Sequence, residues 1–405
     1  MAAPAETAVQ PPETDALAYP FTRPDALSPC PHYARLREEG SRVATVRMPS
    51  GDPAHLVTAY EEVRTVLADP RFSRAATLLP GAPRLAAAPQ NFPSLPNMDD
   101  PEHARVRTVV SRAFTARRVQ ELRPRIQVQT DRLLDAMAAS GDSADLVPAF
   151  AFPLPVRVIC ELLGVPLADQ ALFSGWSAAF VATTGSSAQE MLDAQVSLRE
   201  YLSALIADKR RHPGDDLLSA LASISEHDQE RLAPEELIFL GVSLLVAGHE
   251  TTVCQIGNSV LALLTHPEQR AAFRGDMAAV EELLRLYLPG DETLLRIALE
   301  DVELGGVLIR AGEAVLPSLG SANRDSGRFA DPERMDLDRA GNAHLSFGHG
   351  IHYCLGSGLA RAELQIALTS LFERFPTLRL TVPAEQVPRT SGRLIHGVSS
   401  LPVAW

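Results

Sequence analysis

Cysteine is scarce in this 405-residue chain: Cys30, Cys160, Cys254 and Cys354 are the only four, and no CxxC pair occurs. Their spacing suggests neither a zinc cage nor a disulfide framework, and it fits a reducing, cytoplasmic compartment. Basic charge is also in deficit. The 37 Lys and Arg face 50 Asp and Glu, for a net charge of −13, a balance that favours solubility and argues against a nucleic-acid partner. No Lys or Arg precedes Arg23 and Glu6 lies among small residues, so the N-terminus does not read as a secretory signal. The longest charge-free apolar run on a helical pattern, Leu237 to Gly248, is shorter than the roughly 20 residues of a membrane span, so no membrane anchor is expected. Repeats, a phosphate loop and a Rossmann signature are missing too. Gly348-His349-Gly350 begins a GxGxxG pattern, but Tyr353 stands where the third Gly belongs. His249-Glu250 begins the zinc-protease HExxH pattern, but Val253 replaces the second His.

The hydrophobic fraction of 46% supports a large core. Met1 to Ala18, rich in Ala, Pro, Thr and Glu without a hydrophobic period, reads as a disordered tail before a single domain from residue 19 to 405. Pro31 to Glu39 suits a short helix, and Val43 to Met48 and His55 to Tyr60 suit strands, with helical pattern again at Glu61 to Ala68. Ala75 to Pro96 is long and irregular, as functional loops often are. Asp99-Asp100-Pro101-Glu102 opens a helix with acids in its first turn. His103 and Arg107 follow at i, i+4 and share a face, whereas most of the other arginines between Arg105 and Arg125 read as a solvated helix surface. Helical segments are expected at Ile126 to Ala139, Leu154 to Leu163 and Ala194 to Arg211, with an apolar-then-polar stretch, Trp176 to Ser187, between the last two.

Pro234-Glu235-Glu236 starts the longest candidate helix, reaching to about His266. At 1.5 Å per residue it would be about 50 Å long, enough to cross the whole domain. It is apolar on all sides until Ala247-Gly248-His249-Glu250-Thr251-Thr252, and a Gly, an acid and two hydroxyls inside a core helix demand an explanation. Glu281-Glu282-Leu283-Leu284-Arg285 places an acid and an Arg at i, i+3. Strands are expected within Asp301 to Leu319, at Thr377 to Val382 and at Leu394 to Val403.

Cys354 lies in Phe347-Gly348-His349-Gly350-Ile351-His352-Tyr353-Cys354-Leu355-Gly356, directly before a helical pattern. Free N–H groups at a helix start stabilise a thiolate over a thiol. The glycines let the backbone approach something flat and bulky. A lone thiolate in such a loop is what an iron porphyrin needs as an axial ligand; a buried cysteine in a tight turn is the plainer alternative.

The loop resembles the haem-binding loop of the cytochrome P450 superfamily, and the resemblance extends over nearly the whole chain after Tyr19. Four separated signals agree in order: His103/Arg107, Ala247 to Thr252, Glu282/Arg285 with Arg339, and Phe347 to Gly356. One departure is Met335, where the family usually has an aromatic residue. The resemblance implies the P450 fold, mainly α with a smaller β-rich region. It also implies haem b (iron protoporphyrin IX) with Cys354 as the metal ligand. His103, Arg107, Arg296 and His352 would hold the propionates, Phe347 would shield the sulfur, and Ala247, Gly248, Gly348, Gly350 and Gly356 would line the cofactor. Thiolate ligation favours O–O cleavage, and Glu250 and Thr251 would relay the two protons needed. The Thr251 hydroxyl bonding back to the Ala247 carbonyl is the structural alternative, and both can hold.

The activity implied is hydroxylation or epoxidation of a small lipophilic molecule with O2. The motif set is similar to actinobacterial enzymes that tailor polyketide or macrolide secondary metabolites in antibiotic biosynthesis. Pocket-lining regions are expected at Ala75 to Pro96, Trp176 to Ser187, Leu244 to Val246, Gly290 to Leu295 and Leu394 to His396. The substrate contacts named are Leu245, Val246, Leu294, Leu295 and Ile395. A peroxide-driven or non-oxygenating haem-thiolate enzyme, or a haem-based sensor, are the competing readings. The electron source implied is a ferredoxin with its reductase, docking on a monomer near Arg112, Arg117, Arg118 and Arg361.

Overall fold

Pro234 at the first turn, with Glu235 and Glu236 beside it, starts the helix around which the molecule is built, Pro234–Thr265. The Glu236 carboxylate accepts the Ala233 N–H at 2.7 Å and also takes Arg105, so the helix start is both capped and tied to its neighbour. The structure is a computed structural model and describes residues 17–85, 93–224, 232–290 and 295–405. By length and composition the helix is apolar enough to cross a membrane. Its side chains are instead buried on nearly every side in the protein interior, from Leu237 through Leu263, so it is a core helix.

The helix serves two hydrophobic cores. Leu237 to Val246 pack with Ile159, Phe173, Leu198 and Leu202. Ile256 to Leu263 pack with Leu133, Leu283, Leu364 and Leu368. Ala247 to Thr252 lie at the seam between them, where neither core claims the side chains. On one side of the seam run the helix Met277–Tyr287 and the post-cysteine helix Ser357–Arg374. On the other lie Pro153–Leu163 and Ala188–Arg211. A β-rich region covers one edge. Its main sheet has six short strands in the spatial order Leu17–Ala18, Val43–Arg47, Pro53–Val57, Ala314–Pro317, Arg296–Ala298 and Phe72–Ser73. This is the mainly α fold with a smaller β-rich part that the sequence implied.

Several boundaries differ from expectation. Leu17 and Ala18, assigned to a disordered tail, pair with Val46 and Arg47; residues 1–16 lie outside the described residues. The helix expected from Ile126 begins at Ala116 and passes through Pro124 without stopping. Pro124 forfeits one backbone bond, but Val119, Ile126, Leu133 and Met137 seat the whole length in the core. Trp176 belongs to a helix, Gln170–Phe180, with Phe173 fully buried beneath it. Of Leu394 to Val403, only Pro402 onward forms a strand, pairing with Ser143–Asp145 and Arg379–Leu380, and Val398 makes a single bridge to Arg389. The preceding segment is instead a loop pressed onto the interior. Gly392, just before it, turns the chain with φ +65°, and Gly397 lets the backbone press against Cys254.

The Glu282/Arg285/Arg339 group forms as expected. Arg285 donates to both Glu282 oxygens at 2.8 Å, and Arg339 Nε donates at 3.1 and 3.2 Å. Arg285 also donates to the carbonyls of Asn323 and Pro332 at 2.7 Å. Asn323 in turn accepts the Leu345 N–H at 2.7 Å and donates to Ser346 Oγ at 2.8 Å. The ion pair therefore anchors the entry to the cysteine loop. Met335 is buried in the same core, filling with a flexible side chain the place usual for an aromatic.

Candidate functional site

A cavity of about 320 Å³ opens at the seam. Leu240, Ser243, Leu244, Ala247, Gly248, Thr251 and Thr252 of the central helix form one wall, and Phe347, Gly348, His352, Cys354 and Gly356 of the cysteine loop form the opposite one. The central-helix residues recur at i, i+3, i+4 and i+7, a single helical face. Leu245 and Val246, expected as substrate contacts, are one and two residues out of phase and point into the hydrophobic core instead. Leu295 is likewise buried in the packing behind the β-sheet, not on the cavity wall. Ile395 does line the cavity, while Leu294 lies outside the described residues.

Cys354 is the only one of the four cysteines on this wall; Cys30, Cys160 and Cys254 are buried in the cores. Its N–H donates to the Phe347 carbonyl at 2.8 Å, which closes the loop. Burial pushes the Cys354 thiol up, while the N–H groups of Gly356 and Ser357 and the cations of Arg107 and Arg361 pull it down; burial prevails. The helix itself begins only at Ser357, so its start assists the thiolate without securing it. A metal at the sulfur would supply the remainder. Among the described residues no three His, Cys, Asp or Glu side chains come together in metal-binding geometry. A metal on Cys354 therefore takes its other ligands from a cofactor.

The loop glycines are needed for different reasons. Gly350 has φ +72°, and a Cβ there would stand 2.6 Å from the Leu67 carbonyl oxygen. A Cβ on Gly356 would meet only open space in the cavity, so a flat group there finds no side chain in its way. Gly248 lines the cavity beside Ile159, whose side chain a Cβ there would approach to 2.5 Å.

Five basic side chains gather at one edge of the cavity, three of them charged arginines. The His103 and His352 rings lie 4.5 Å apart, and Arg107 Nη2 donates to the Tyr353 carbonyl at 2.6 Å. Arg296 stands behind the wall, donating to the Phe72 carbonyl at 3.1 Å. The fifth, Arg74, carried no sequence signal. It is buried, and its guanidinium donates to Asn97 Oδ1 at 2.6 Å and to the carbonyls of Pro96 and Leu295. Burial lowers Arg74 to about 10. Burial and then Arg74 lower Arg296 to about 9. Burial, followed by repulsion from Arg296, Arg74, His103 and Arg107, drives His352 to about 2. His103 Nε2, His352 Nε2 and Arg296 Nε are buried without partners. Three arginine charges beside these orphaned ring and guanidinium nitrogens fit an anionic group at this edge. A planar, metal-bearing dianion fits the cavity on all three counts: the sulfur, the open glycine wall and the cation edge.

On the opposite wall, Thr251 Oγ1 donates to the Ala247 carbonyl at 2.9 Å, the backbone bond weighed from the sequence. Glu250, one residue before Thr251, does not share the cavity face. Its carboxylate lies 3.7 Å from His249 Nε2 and 3.6 Å from Arg393. Arg361 also departs from expectation. It is bound by Glu281 and stacked on Phe347, whereas Arg117 and Arg118 are exposed and share only Glu121.

A protein-family model described as Cytochrome P450 matches residues 276–399. Nocardicin C N-oxygenase of Nocardia uniformis subsp. tsuyamanensis is 49% identical over 398 residues, 97% of this chain and 99% of that protein. Mycinamicin IV hydroxylase/epoxidase of Micromonospora griseorubida is 47% identical, over 96% of this chain and 98% of its own. Among solved structures, HinD with NMFT and NO superposes with a TM-score of 0.91 at 44% identity, covering 96% of this chain and 99% of that one.

Proposed function

Because the chain belongs to the cytochrome P450 family and is a P450 monooxygenase, we propose that it oxidises a lipophilic secondary metabolite of macrolide or related antibiotic type, with electrons from a ferredoxin. The substrate class is supported by the relatives, whose names cover a macrolide hydroxylase/epoxidase and an N-oxygenase of nocardicin C. It is also supported by the cavity wall, where Leu240, Leu244, Ile395 and Leu288 offer apolar surface and little bulk. The observation that carries the reading is the opposition of Cys354 to the Ala247–Thr252 turn across one cavity with a cationic edge.

A haem b bound here would supply dioxygen activation at a thiolate-ligated iron. The residues proposed to hold it are Cys354 at the metal, His103, Arg107, Arg296 and His352 at the propionates, and Ala247, Gly248, Gly348 and Gly356 at the faces. Gly350 acts indirectly, by letting the loop pass Leu67. Phe347 lies beside the sulfur side of the cavity and excludes water. Protons reach the cavity through Thr251 Oγ1, which can turn from the Ala247 carbonyl toward the cavity. Glu250, facing away from the cavity toward Arg393, is placed to collect them from the protein exterior. The acid and the alcohol thus take successive positions on a route through the helix.

The test is turnover under 18O2 with NADH, a surrogate ferredoxin and its reductase, on a compound that shifts the haem spectrum. One 18O is expected in the product. Product formed from added unlabelled hydrogen peroxide without NADH, and so carrying no 18O, would instead establish a peroxide-driven enzyme. Thr251→Ala should bind the same compound yet divert most of the consumed NADH to hydrogen peroxide. Unchanged coupling would remove Thr251 from the relay.

Ferredoxin docking is proposed at the sulfur side of the molecule. Val119 lies against Gly358 of the post-cysteine helix, so the exposed Arg117 and Arg118 flank the shortest path to Cys354, with exposed Arg112 nearby. Their pairs with Glu121 are exposed and weak. Rising salt should slow reduction by an acidic ferredoxin, and Arg117→Glu with Arg118→Glu should raise the ferredoxin concentration needed without altering substrate affinity. Salt-independent reduction would place the dock elsewhere.

A further inference from the structure

Glu281 stands next to Glu282 but serves a different structure. Adjacent helix positions point about 100° apart, and Glu281 turns toward the cysteine loop. Its Oε1 accepts Arg361 Nε at 2.6 Å, and its Oε2 accepts Arg361 Nη2 at 2.9 Å and His344 Nε2 at 2.8 Å. His344 Nδ1 accepts the Ser346 N–H at 3.1 Å, which leaves Nε2 as the protonated nitrogen and fixes it as a donor to Glu281. Arg361 is thereby held flat. Its guanidinium carbon lies 4.5 Å from the centre of the Phe347 ring, and Nη1 donates to Tyr353 Oη at 3.2 Å. Phe347 is the residue whose carbonyl takes the Cys354 N–H. The Arg361 charge therefore sits against the ring of the residue whose backbone anchors Cys354.

We infer that Glu281 is a positioning residue for the axial ligand: it clamps Arg361 onto Phe347 and so sets how much positive charge the sulfur feels. The inference rests on the reading of Cys354 as the ligand. A bidentate carboxylate–guanidinium pair stacked on an aromatic ring is rigid and directional, and a half-buried pair is screened less than an exposed one. The anion and the cation oppose one another at the sulfur, and their balance sets its electron donation to the iron. This assignment also removes Arg361 from the arginines available for a docking partner.

The two halves of the clamp should move the reduction potential of the holoprotein in opposite directions. Glu281→Gln keeps the shape but leaves the cation uncompensated. That weakens donation from the sulfur and favours ferrous iron, so the potential rises. Arg361→Met keeps apolar volume on Phe347 but leaves the anion, so the potential falls. A three- to tenfold change in the ferric–ferrous equilibrium is expected for each, about 28–59 mV at 59 mV per tenfold for one electron. Glu121→Gln, which removes an exposed acid on the same side, should shift nothing.

Spectroelectrochemistry on the reconstituted protein and its variants reads this directly, after the carbon-monoxide complex of the parent has been checked for the thiolate band. Absence of that band in the parent would refute the ligand assignment. Its presence with no shift in either variant, or with shifts of the same sign in both, would overturn the role of Glu281. If Glu281→Gln does not take up haem, a rise or no change in the potential of Arg361→Met overturns the proposal and a fall supports it.

Discussion

Cys354→Ser yields a protein whose reduced carbon-monoxide complex lacks the absorption band of thiolate ligation, and monooxygenation falls to background. The expectation follows from geometry, since no other cysteine reaches the cavity. Cys160 and Cys254 are pushed up to about 12 by burial, so neither supplies a thiolate, and Cys30 is packed among Tyr19, Phe21 and Tyr33. Cys354 alone combines a cavity position with the Gly356 and Ser357 N–H groups and with two arginines, Arg107 and Arg361, close enough to favour its charged form. The substitution leaves the hydrogen bond from the residue 354 N–H to the Phe347 carbonyl intact, because that bond is backbone. The loop should therefore survive, and the cation edge should still retain some haem. Loss of the band with partial haem retention is the specific signature. Cys30→Ala, Cys160→Ala and Cys254→Ala should each keep the band. Persistence of the band in Cys354→Ser would give the iron another ligand.

How much of this site was legible beforehand depended on whether the signal was local. The cysteine loop, the His103/Arg107 pair and the Ala247–Thr252 turn are short motifs, and all three border the same cavity. Leu245 and Val246 are close to Ala247 in sequence but not on its face; at 100° per residue, Leu244 and Leu240 hold that face instead. Glu250, one residue before Thr251, lies off that face by the same arithmetic and faces Arg393. Arg74 had no signal at all. It follows a two-residue strand, and its acceptors, Pro96, Asn97 and Leu295, are 22 to 221 positions away. Long-range pairing of this kind leaves no period to detect. The same holds for Arg361, whose partner Glu281 is 80 residues upstream. A count of exposed-looking arginines could not separate it from Arg117 and Arg118.

Arg285→Ala should reduce the yield of soluble, haem-loaded protein severely. Both Arg285 and Glu282 are fully buried, so truncating the arginine strands a carboxylate where water cannot reach it. Breaking one partner of a buried pair costs about 3–5 kcal/mol, against a total stability of roughly 5–15 kcal/mol for a folded protein. Arg339, the Asp336 N–H and Asn342 Nδ2 remain on Glu282 at 2.9 to 3.2 Å, which softens the loss at the acid. Nothing replaces Arg285 at the carbonyls of Asn323 and Pro332. Because Asn323 positions Leu345 and Ser346, the disturbance passes into the cysteine loop, and haem occupancy should fall with the melting temperature. Acid should do the same more gradually. Burial raises the Glu282 carboxyl, but Arg285, the Asp336 N–H and Arg339 outweigh it and leave it below its ordinary 4.5. Its stabilisation is therefore complete above that ordinary value and is lost as pH falls through the lower, folded one. In Arg285→Ala the main lowering partner is gone, so the acid-induced loss of haem should begin at higher pH than in the parent. A normal melting temperature with full haem occupancy, or an unchanged acid midpoint, would show that Arg339 and the neighbouring amides suffice to hold Glu282.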